Sequence, residues 1–248
     1  MRLKPVYVTA IAVISLFVGC QESVKEIVEQ TYPDGSKKKL SYYQGQRTNI
    51  LKTFIYFNNG KVQLEQFFKK GKLDSVLCAY YPNGNKYKET WYTIGKRNGD
   101  DREWYENGQL KSESRYSNDM PEGKAVSYFE DGKTAAESVY KSGKKEGEDV
   151  VYFTGGKSKK SVKTYVGGDA TGPEKEWYES GNLKSEKTWD KDILNGPYVT
   201  YFKNGKKQEE GTYKDGAYDG KRYMYDEKGR KISDALFKNG TLVEGRTL

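Results

Sequence analysis

Carboxylates recur at one place in this sequence, five positions after each of a series of turn-like glycines. On alternate strands of an antiparallel sheet they would stand about 9 to 10 Å apart, too far for two of them to share one metal ion. The spacing suits the acid and base of an inverting glycosidase, but a periodic row singles out no pair. We therefore interpret the row as a solvated face with weak cross-strand ion pairs, to which Lys111, Lys159 and Lys184 would contribute. Leu40 and Ser161 interrupt the row, whose members are Glu65, Glu89, Glu113, Glu137, Glu186, Glu210 and Asp234.

Large aromatic side chains run beside the carboxylates, three positions before each turn glycine. Exposed aromatic ladders can bind sugar rings or a protein partner. The alternative is that these rings cover the ends of the turns and pack on each other. The sequence thus offers one candidate partner-binding face, made of Tyr81, Tyr105, Phe129, Tyr178, Glu89, Glu113, Glu137 and Glu186.

The chain lacks the residue types and motifs that most catalytic and cofactor-binding sites require. The chain has no histidine and two cysteines, which excludes imidazole bases and cysteine-rich zinc sites. No glycine-rich phosphate loop is present, and the isolated Gly167-Gly168-Asp169 lacks the other ligands of a calcium loop. We expect Cys78 to be an apolar filler of a strand. The sequence predicts no catalytic residue, no metal site and no cofactor.

The first 20 residues have the form of an export signal. Arg2 and Lys4 precede an apolar run over 6–18, which is too short to span a bilayer as a helix. The segment Leu16-Phe17-Val18-Gly19-Cys20 resembles a bacterial lipobox. This predicts a signal peptide over 1–19, lipidation of Cys20, an anchored linker over 20–30, and an exported, membrane-anchored lipoprotein of the periplasm or cell surface. The alternative is an ordinary secretory signal with an incidental cysteine.

The rest of the chain is a repeat of 24 or 25 residues. An aromatic residue stands four places before almost every turn glycine and another eight or nine places after it, and Asn or Asp usually precedes the glycine. A second glycine lies nine places before most of them, for example Gly123, and we expect it to form a floor for a neighbouring ring. The turn glycines are Gly35, Gly60, Gly84, Gly108, Gly132, Gly156, Gly181, Gly205 and Gly229.

Each repeat reads as one β-hairpin. Runs of five to eight residues flank Asn-Gly or Asp-Gly, which is typical of strands joined by a tight turn. A three-residue loop ending in a left-handed glycine would place Val126 and Tyr128 on the face of Leu110, Ser112, Ser114 and Tyr116. A second turn, such as Lys141 to Lys144, would lead to the next hairpin. The prediction is an all-β fold, an elongated, twisted antiparallel meander of about nine hairpins and eighteen strands, as a single repeat domain over 24–248.

The repeat resembles a known family, the MORN-repeat variant of bacterial proteins. Residues 99–123, GDDREWYENGQLKSESRYSNDMPEG, and 172–196, GPEKEWYESGNLKSEKTWDKDILNG, show the pattern. Bacterial members are commonly labelled antitoxin components, and eukaryotic MORN repeats look like scaffold and membrane-proximal modules. The resemblance implies no catalytic residues.

Three functions follow from these observations as expectations. The first is a non-enzymatic, lipid-anchored scaffold of the cell envelope that binds a protein, or an envelope glycan, since repeat sheets offer area without a pocket. The second is an antitoxin-like or immunity protein that neutralises a toxic partner by contact. The third and most distant is a carbohydrate-active enzyme using two of the acidic residues. Nucleic acid is not an expected partner, because lysine and glutamate are interspersed despite the net charge of +8.

Overall fold

The computed structural model describes residues 23–45 and 49–248, which are built entirely from β-strands and turns. The strands are β1 (Val24–Thr31), β2 (Lys37–Gln44), β3 (Asn49–Tyr56), β4 (Val62–Lys69), β5 (Lys72–Tyr80), β6 (Lys86–Thr93), β7 (Lys96–Trp104), β8 (Leu110–Ser117), β9 (Met120–Pro121), β10 (Gly123–Tyr128), β11 (Thr134–Lys141), β12 (Lys144–Lys145), β13 (Gly147–Tyr152), β14 (Lys159–Val166), β15 (Asp169–Trp177), β16 (Leu183–Asp190), β17 (Ile193–Leu194), β18 (Gly196–Tyr201), β19 (Lys207–Lys214), β20 (Ala217–Tyr218), β21 (Gly220–Tyr225), β22 (Lys231–Lys238) and β23 (Thr241–Thr247).

The strands form one open antiparallel meander in which each pairs with the strand before it and the strand after it, if the two parts of a broken strand, such as β9 and β10, are counted as one. This confirms the predicted fold class. Nine hairpins, numbered here in chain order by their turn glycines, are followed by the further strand β23, which pairs with β22. The prediction of eighteen strands was therefore short by one. The remaining difference arises because four strands are each broken in two, as in the pairs β9 and β10 or β12 and β13.

The turn inside every hairpin except the sixth is the predicted three-residue loop, and we call the turn at each turn glycine the Asn-Gly turn. In the second hairpin the amide of Gly60 donates to the carbonyl of Phe57, and the amide of Phe57 donates to the carbonyl of Lys61. Gly60 has a φ of +79°, the left-handed conformation that glycine adopts without strain. The Asn59 side chain accepts the Lys61 amide at 3.0 Å, which explains why Asn or Asp precedes the glycine.

The turns between hairpins have two central residues, and we call them linking turns. Both central residues have positive φ, as the tight hairpin turn that matches strand twist requires. This confirms the second predicted turn at Ser142–Gly143. The others in the described chain are Lys70–Gly71, Ile94–Gly95, Asn118–Asp119, Gly167–Gly168, Lys191–Asp192, Asp215–Gly216 and Asn239–Gly240.

A β-bulge directly after the Asn-Gly turn reverses one prediction about the faces of the sheet. In the fifth hairpin Tyr128 pairs with Thr134, but Ser127 pairs with Ala136, so Ala135 is an extra residue. Because one extra residue shifts every later side chain to the other face, Val126 pairs with Glu137. The prediction that Val126 and Tyr128 share a face with Ser112, Ser114 and Tyr116 was wrong, and of the predicted set only Leu110, opposite Trp104, lies on their face. Val126 and Tyr128 lie on the face of the carboxylates.

The predicted role of the second glycine holds at Gly99, where an added Cβ would lie 2.9 Å from Cβ and 3.4 Å from Cγ of Trp91, but it was wrong at Gly123. Gly123, with a φ of +78°, lies where the strand breaks between β9 and β10, and no atom lies within 4 Å of an added Cβ. It serves the backbone of a bulge rather than a neighbouring ring. A ring also lies on a glycine at Gly211, where an added Cβ would be 2.8 Å from Cε1 of Tyr198.

Packing is confined to the two faces of this single sheet. The apolar side chains buried among the described residues are Leu40, Cys78, Val150, Ala170 and Tyr198. Small polar residues such as Ser41, Thr53 and Thr90 are buried on the face opposite the carboxylates. That opposite face also carries the aromatic residues that follow each Asn-Gly turn, such as Tyr116 and Tyr213, as predicted for the small and aromatic set.

Candidate partner-binding face

The carboxylates lie in one continuous cross-strand row, and we call the side of the sheet that carries Glu89, Glu113, Glu137 and Glu186 the acid-row face. Between successive carboxylates stands a residue of the intervening strand. In the sixth hairpin the residue in the row is Val162, which pairs with Val150. The prediction placed Ser161 there and was wrong, because this hairpin contains one extra residue. The intervening residues are Phe54, Cys78, Arg102, Val126, Val150, Lys175, Val199 and Tyr223.

The four carboxylates Glu89, Glu113, Glu137 and Glu186 each have a partner within the sheet. Glu89 pairs with Lys86 at 2.5 Å and with Arg102 at 3.6 Å. Glu137 lies 3.3 Å from Lys124, and Glu186 lies 2.7 Å from Lys175. These pairs are partly exposed, so each contributes little to stability.

Glu113 is held by a tyrosine. The Tyr128 hydroxyl donates to Glu113 Oε1 at 2.7 Å, and this hydrogen bond, with burial, raises the pKa of Tyr128 to about 12. Tyr225 binds Glu210 in the same way, and its pKa is also raised to about 12. The aromatic residue before the turn therefore orients the carboxylate of a neighbouring strand, a relationship that the predicted assignment of faces had excluded.

Of the three predicted lysines, Lys159 lies on the acid-row face, opposite Tyr152, whereas Lys111 and Lys184 pair with carboxylates outside the row. Lys111 lies 3.8 Å from Glu103, and Lys184 lies 3.1 Å from Glu176. The carboxylates are met instead by the lysine three places earlier, as in Lys207 and Glu210. The bulge after the turn brings that residue onto the acid-row face.

The outer aromatic residues connect successive hairpins. The hydroxyls of Tyr81, Tyr105 and Tyr178 donate to the carbonyls of Trp104, Tyr128 and Tyr201 of the next hairpin, at 2.9, 2.7 and 2.8 Å. Phe129 occupies the same position without a hydroxyl. All four rings are half-buried, so they cover the turn ends and still present part of their surface.

Turn asparagines form a second set of links that sequence reasoning missed. The Nδ2 atoms of Asn59, Asn83, Asn107 and Asn204 donate to carbonyls in the next Asn-Gly turn, at 2.9 to 3.4 Å. Asp cannot donate in this way. The choice of Asn over Asp before the glycine was the available signal.

Exposed apolar side chains along the linking turns were also missed, and we call them the apolar edge. Each is 41 to 56 % exposed. Two of them, Met120 and Ile193, lie against the glycines of the following linking turns, Gly143 and Gly216, at 3.5 and 3.6 Å from an added Cβ. Rows of exposed apolar residues are typical of protein interaction sites. The apolar edge comprises Trp91, Ile94, Met120, Val139, Val166 and Ile193.

One cluster on the opposite face is more buried. Tyr198 donates to Glu209, and Arg222 Nε donates to the same carboxylate at 2.6 Å. The rings of Tyr213 and Tyr218 stack at 4.5 Å. Burial raises the pKa of the Glu209 carboxyl, but the bonds from Arg222 and Tyr198 outweigh it and hold that pKa below its usual value. We interpret this cluster as structural, because its polar groups satisfy each other.

Other predicted features can be placed briefly. Cys78 is buried, and burial raises its thiol pKa. Cys20 and the signal peptide lie outside the described residues. Over 23–45 and 49–248, no group of three or more metal-ligating side chains occurs, and no helix is long and apolar enough to cross a membrane.

The fold and this face define an open hairpin-repeat sheet that presents surfaces rather than an enclosed pocket. Four segments, 97–118, 121–142, 170–191 and 194–215, match the family described as the MORN repeat variant. These segments are MORN repeat variants, as the resemblance predicted. Repeats of this kind are generally binding or scaffold modules and are typically non-catalytic.

Solved structures with some likeness are parts of much larger toxin complexes. A mutant Tc holotoxin pore of Photorhabdus luminescens is 13% identical over 88% of this chain and 16% of its own, with a TM-score of 0.18. A crystal structure of TcdB2-TccC3 is 10% identical over 87% of this chain and 18% of its own, also with a TM-score of 0.18. The chain thus spans less than a fifth of their length. No curated protein sequence matches it.

Proposed function

We propose that this protein is a non-enzymatic, lipid-anchored scaffold of the bacterial cell envelope that binds a protein partner through its acid-row face. The observation that carries the proposal is the apolar edge, which extends from Trp91 in the third hairpin to Ile193 at the start of the eighth. Trp91 and Val139 stand two residues beyond Glu89 and Glu137, on the same face.

The acid-row face suits a protein partner because it combines exposed apolar side chains with polar side chains around them. Large exposed side chains such as Trp91 and Met120 are typical hot-spot residues. The partly exposed carboxylates beside them, together with the half-buried rings of Tyr81, Tyr105, Phe129 and Tyr178, would form the rest of the contact. Cys20 would supply the membrane anchor as a lipidated residue.

The test is a crosslinking pull-down of the tagged full chain from its native envelope fraction, read by mass spectrometry. We expect one stoichiometric protein partner, recovered about tenfold less efficiently with the double variant Trp91→Ser, Ile193→Ser. The matched control is Ile232→Ser, which removes an exposed apolar side chain outside the apolar edge. Recovery of no protein, or equal recovery with both variants, would refute the proposed contact.

Two further observations refine the same experiment. The Cys20→Ala form should leave the membrane fraction, and its retention there would contradict the lipid anchor. A partner that is toxic when expressed alone, and harmless when expressed with this chain, would replace the scaffold role with the immunity role.

A further inference from the structure

Successive Asn-Gly turns are joined by three kinds of contact. The tyrosine hydroxyl and the asparagine Nδ2 donate to the next hairpin, as described above. In addition, each turn glycine from Gly84 onward usually lies close to the residue that follows the preceding turn glycine. Its added Cβ would be 3.6 Å from Lys61 at Gly84, 3.3 Å from Gln109 at Gly132, and 3.4 Å from Lys206 at Gly229.

The junction between the sixth and seventh hairpins has none of these contacts. Phe153 stands where a tyrosine would donate, and Gly155 stands where an asparagine would donate. Gly181 has no atom within 4 Å of an added Cβ. Each of the other seven junctions within the described residues keeps at least one of the three contacts.

The one-residue insertion in the sixth hairpin explains this gap. Its loop has four residues, because Phe153 pairs with Ser158 rather than with the residue after Gly156. Gly156 is pressed against the fifth hairpin, with an added Cβ only 2.6 Å from Lys133 Cβ. The insertion lies between residues 142 and 170, a part of the chain that none of the four family matches covers.

A cleft of about 290 Å³ opens on the other side of this turn. Its walls are the rings of Phe153, Trp177 and Tyr178, and its rim carries both donors and acceptors. Among the described residues, no side-chain acceptor receives the indole N–H of Trp177, whereas the indole of Trp189 donates to Glu174. The polar rim consists of Lys160, Ser161, Glu176, Glu179 and Lys184.

We propose that this cleft binds one pyranose ring of a glycan. The volume is at the small end for ligand pockets, and the aromatic walls suit the C–H face of a sugar. Sugar hydroxyls both donate and accept, so they can use the lysines and the glutamates together. An aliphatic or phenylalanine side chain of a protein would use none of these groups. The site does not depend on the partner contact proposed above.

The test uses the full chain and three probes, the methyl glycosides of a hexose, an N-acetylhexosamine and a hexuronic acid. Saturation-transfer NMR should show binding of at least one of them, with the strongest transfer to one face of the ring. In wild-type protein the indole N–H resonance of Trp177, assigned by its loss in Trp177→Phe, should shift on titration. This second readout requires no variant that closes the cleft.

The closing variant is Phe153→Tyr, which restores the hydroxyl that links Tyr81, Tyr105 and Tyr178 to the next hairpin. We expect it to weaken sugar binding at least about tenfold, a change of about 1.4 kcal/mol, and to preserve the fold. Its matched control is Phe202→Tyr, at the junction of the eighth and ninth hairpins, which should bind sugar normally.

Three outcomes would overturn the sugar site. They are no binding of any of the three glycosides, equal binding by Phe153→Tyr, and no shift of Trp177. Binding of N-acetyl-tryptophan amide or N-acetyl-leucine amide without any sugar would identify the cleft as a pocket for a protein side chain. Recovery of the protein partner by Phe153→Tyr would show that binding of the partner is independent of the sugar site.

Discussion

The hydroxyl of Tyr105 donates to the carbonyl of Tyr128 at 2.7 Å, 23 residues further along the chain. The bond joins the fourth hairpin to the fifth outside the regular ladder of the sheet. In a repeat protein, stability is approximately the sum of the repeats and the interfaces between neighbours. This hydroxyl is therefore a measurable part of one interface.

We expect Tyr105→Phe to destabilise the chain by about 1 kcal/mol, the usual net contribution of one hydrogen bond. Urea unfolding followed by circular dichroism measures the change. Tyr87→Phe is the matched control, because Tyr87 is exposed and its hydroxyl makes no hydrogen bond in the described part of the chain. Equal losses in both variants would mean that the link to Tyr128 contributes nothing specific.

Substitutions at two turn glycines allow the energetic cost of a left-handed backbone to be measured separately from the cost of steric crowding. Gly181 has a φ of +91° and open space around an added Cβ, whereas Gly156 has a φ of +64° and meets Lys133 Cβ at 2.6 Å and the carbonyl of Thr134 at 3.1 Å. Gly181→Ala should cost about 1 to 2 kcal/mol from the left-handed backbone alone. Gly156→Ala should cost about 1 to 3 kcal/mol more, because the fifth and sixth turns must move apart.

The urea midpoints of the two variants check this difference. A smaller loss for Gly156→Ala than for Gly181→Ala would show that the sixth turn is not held against the fifth. The explanation given for the cleft would then fail as well.

The hairpins were predictable because their signals are local. Asn59 and Gly60 specify a loop through their own backbone and side-chain preferences, and the spacing of such pairs fixes the number of hairpins. The faces were not predictable in the same way. The bulge at Ala135 has no residue preference that would mark it, since the corresponding residue is Gln63 in one hairpin and Lys111 in another.

The candidate site was predicted in its residues but not in its contacts. The sequence shows that Tyr81 and Tyr178 recur, but their bonds to Trp104 and Tyr201 depend on how far apart successive hairpins stack. The apolar edge was not predicted, because its members, such as Ile94 and Val139, occupy different positions within the repeat. They form one row only along the linking turns of the folded sheet. The insertion before Ser158 was visible as a 25-residue spacing, but the cleft it opens was not.

Ile94 is a candidate for a residue that lowers the stability of the fold but contributes to binding of the protein partner. It is β-branched and has a φ of +47° in a linking turn, which is strained for such a side chain. Its side chain is 56 % exposed on the apolar edge. We expect Ile94→Asn to stabilise the chain by about 1 kcal/mol, because Asn tolerates the left-handed region, and to lower recovery of the protein partner.

Ser142→Asn is the control for Ile94→Asn, since Ser142 has a similar φ of +49° without a branched side chain. It should stabilise the chain less and leave partner recovery unchanged. Thermal unfolding and the pull-down together check the pair. A stabilised Ile94→Asn variant with full partner recovery would remove Ile94 from the binding surface.

The Glu209 carboxylate should give the junction between the eighth and ninth hairpins a pH-dependent stability, because Glu209 lies in the eighth hairpin and its partner Arg222 in the ninth. Its pKa lies below the ordinary value of 4.5, because the bonds from Arg222 and Tyr198 outweigh the effect of burial. A carboxyl whose folded pKa is depressed stabilises the fold above its unfolded pKa and loses that contribution as the pH falls through the folded pKa. The contribution is thus complete above about pH 4.5 and declines below it.

Glu209→Gln should therefore destabilise the chain by about 1.5 to 3 kcal/mol at neutral pH, the range for hydrogen bonds to a charged group. The difference from wild type should shrink as the pH is lowered below 4.5, because the wild-type carboxylate is then protonated as well. Urea unfolding at a series of pH values measures this difference, and Glu227→Gln, an exposed turn residue, serves as control. A difference that stays constant from pH 7 to pH 3 would show that Glu209 acts through packing with Tyr198 rather than through its charge.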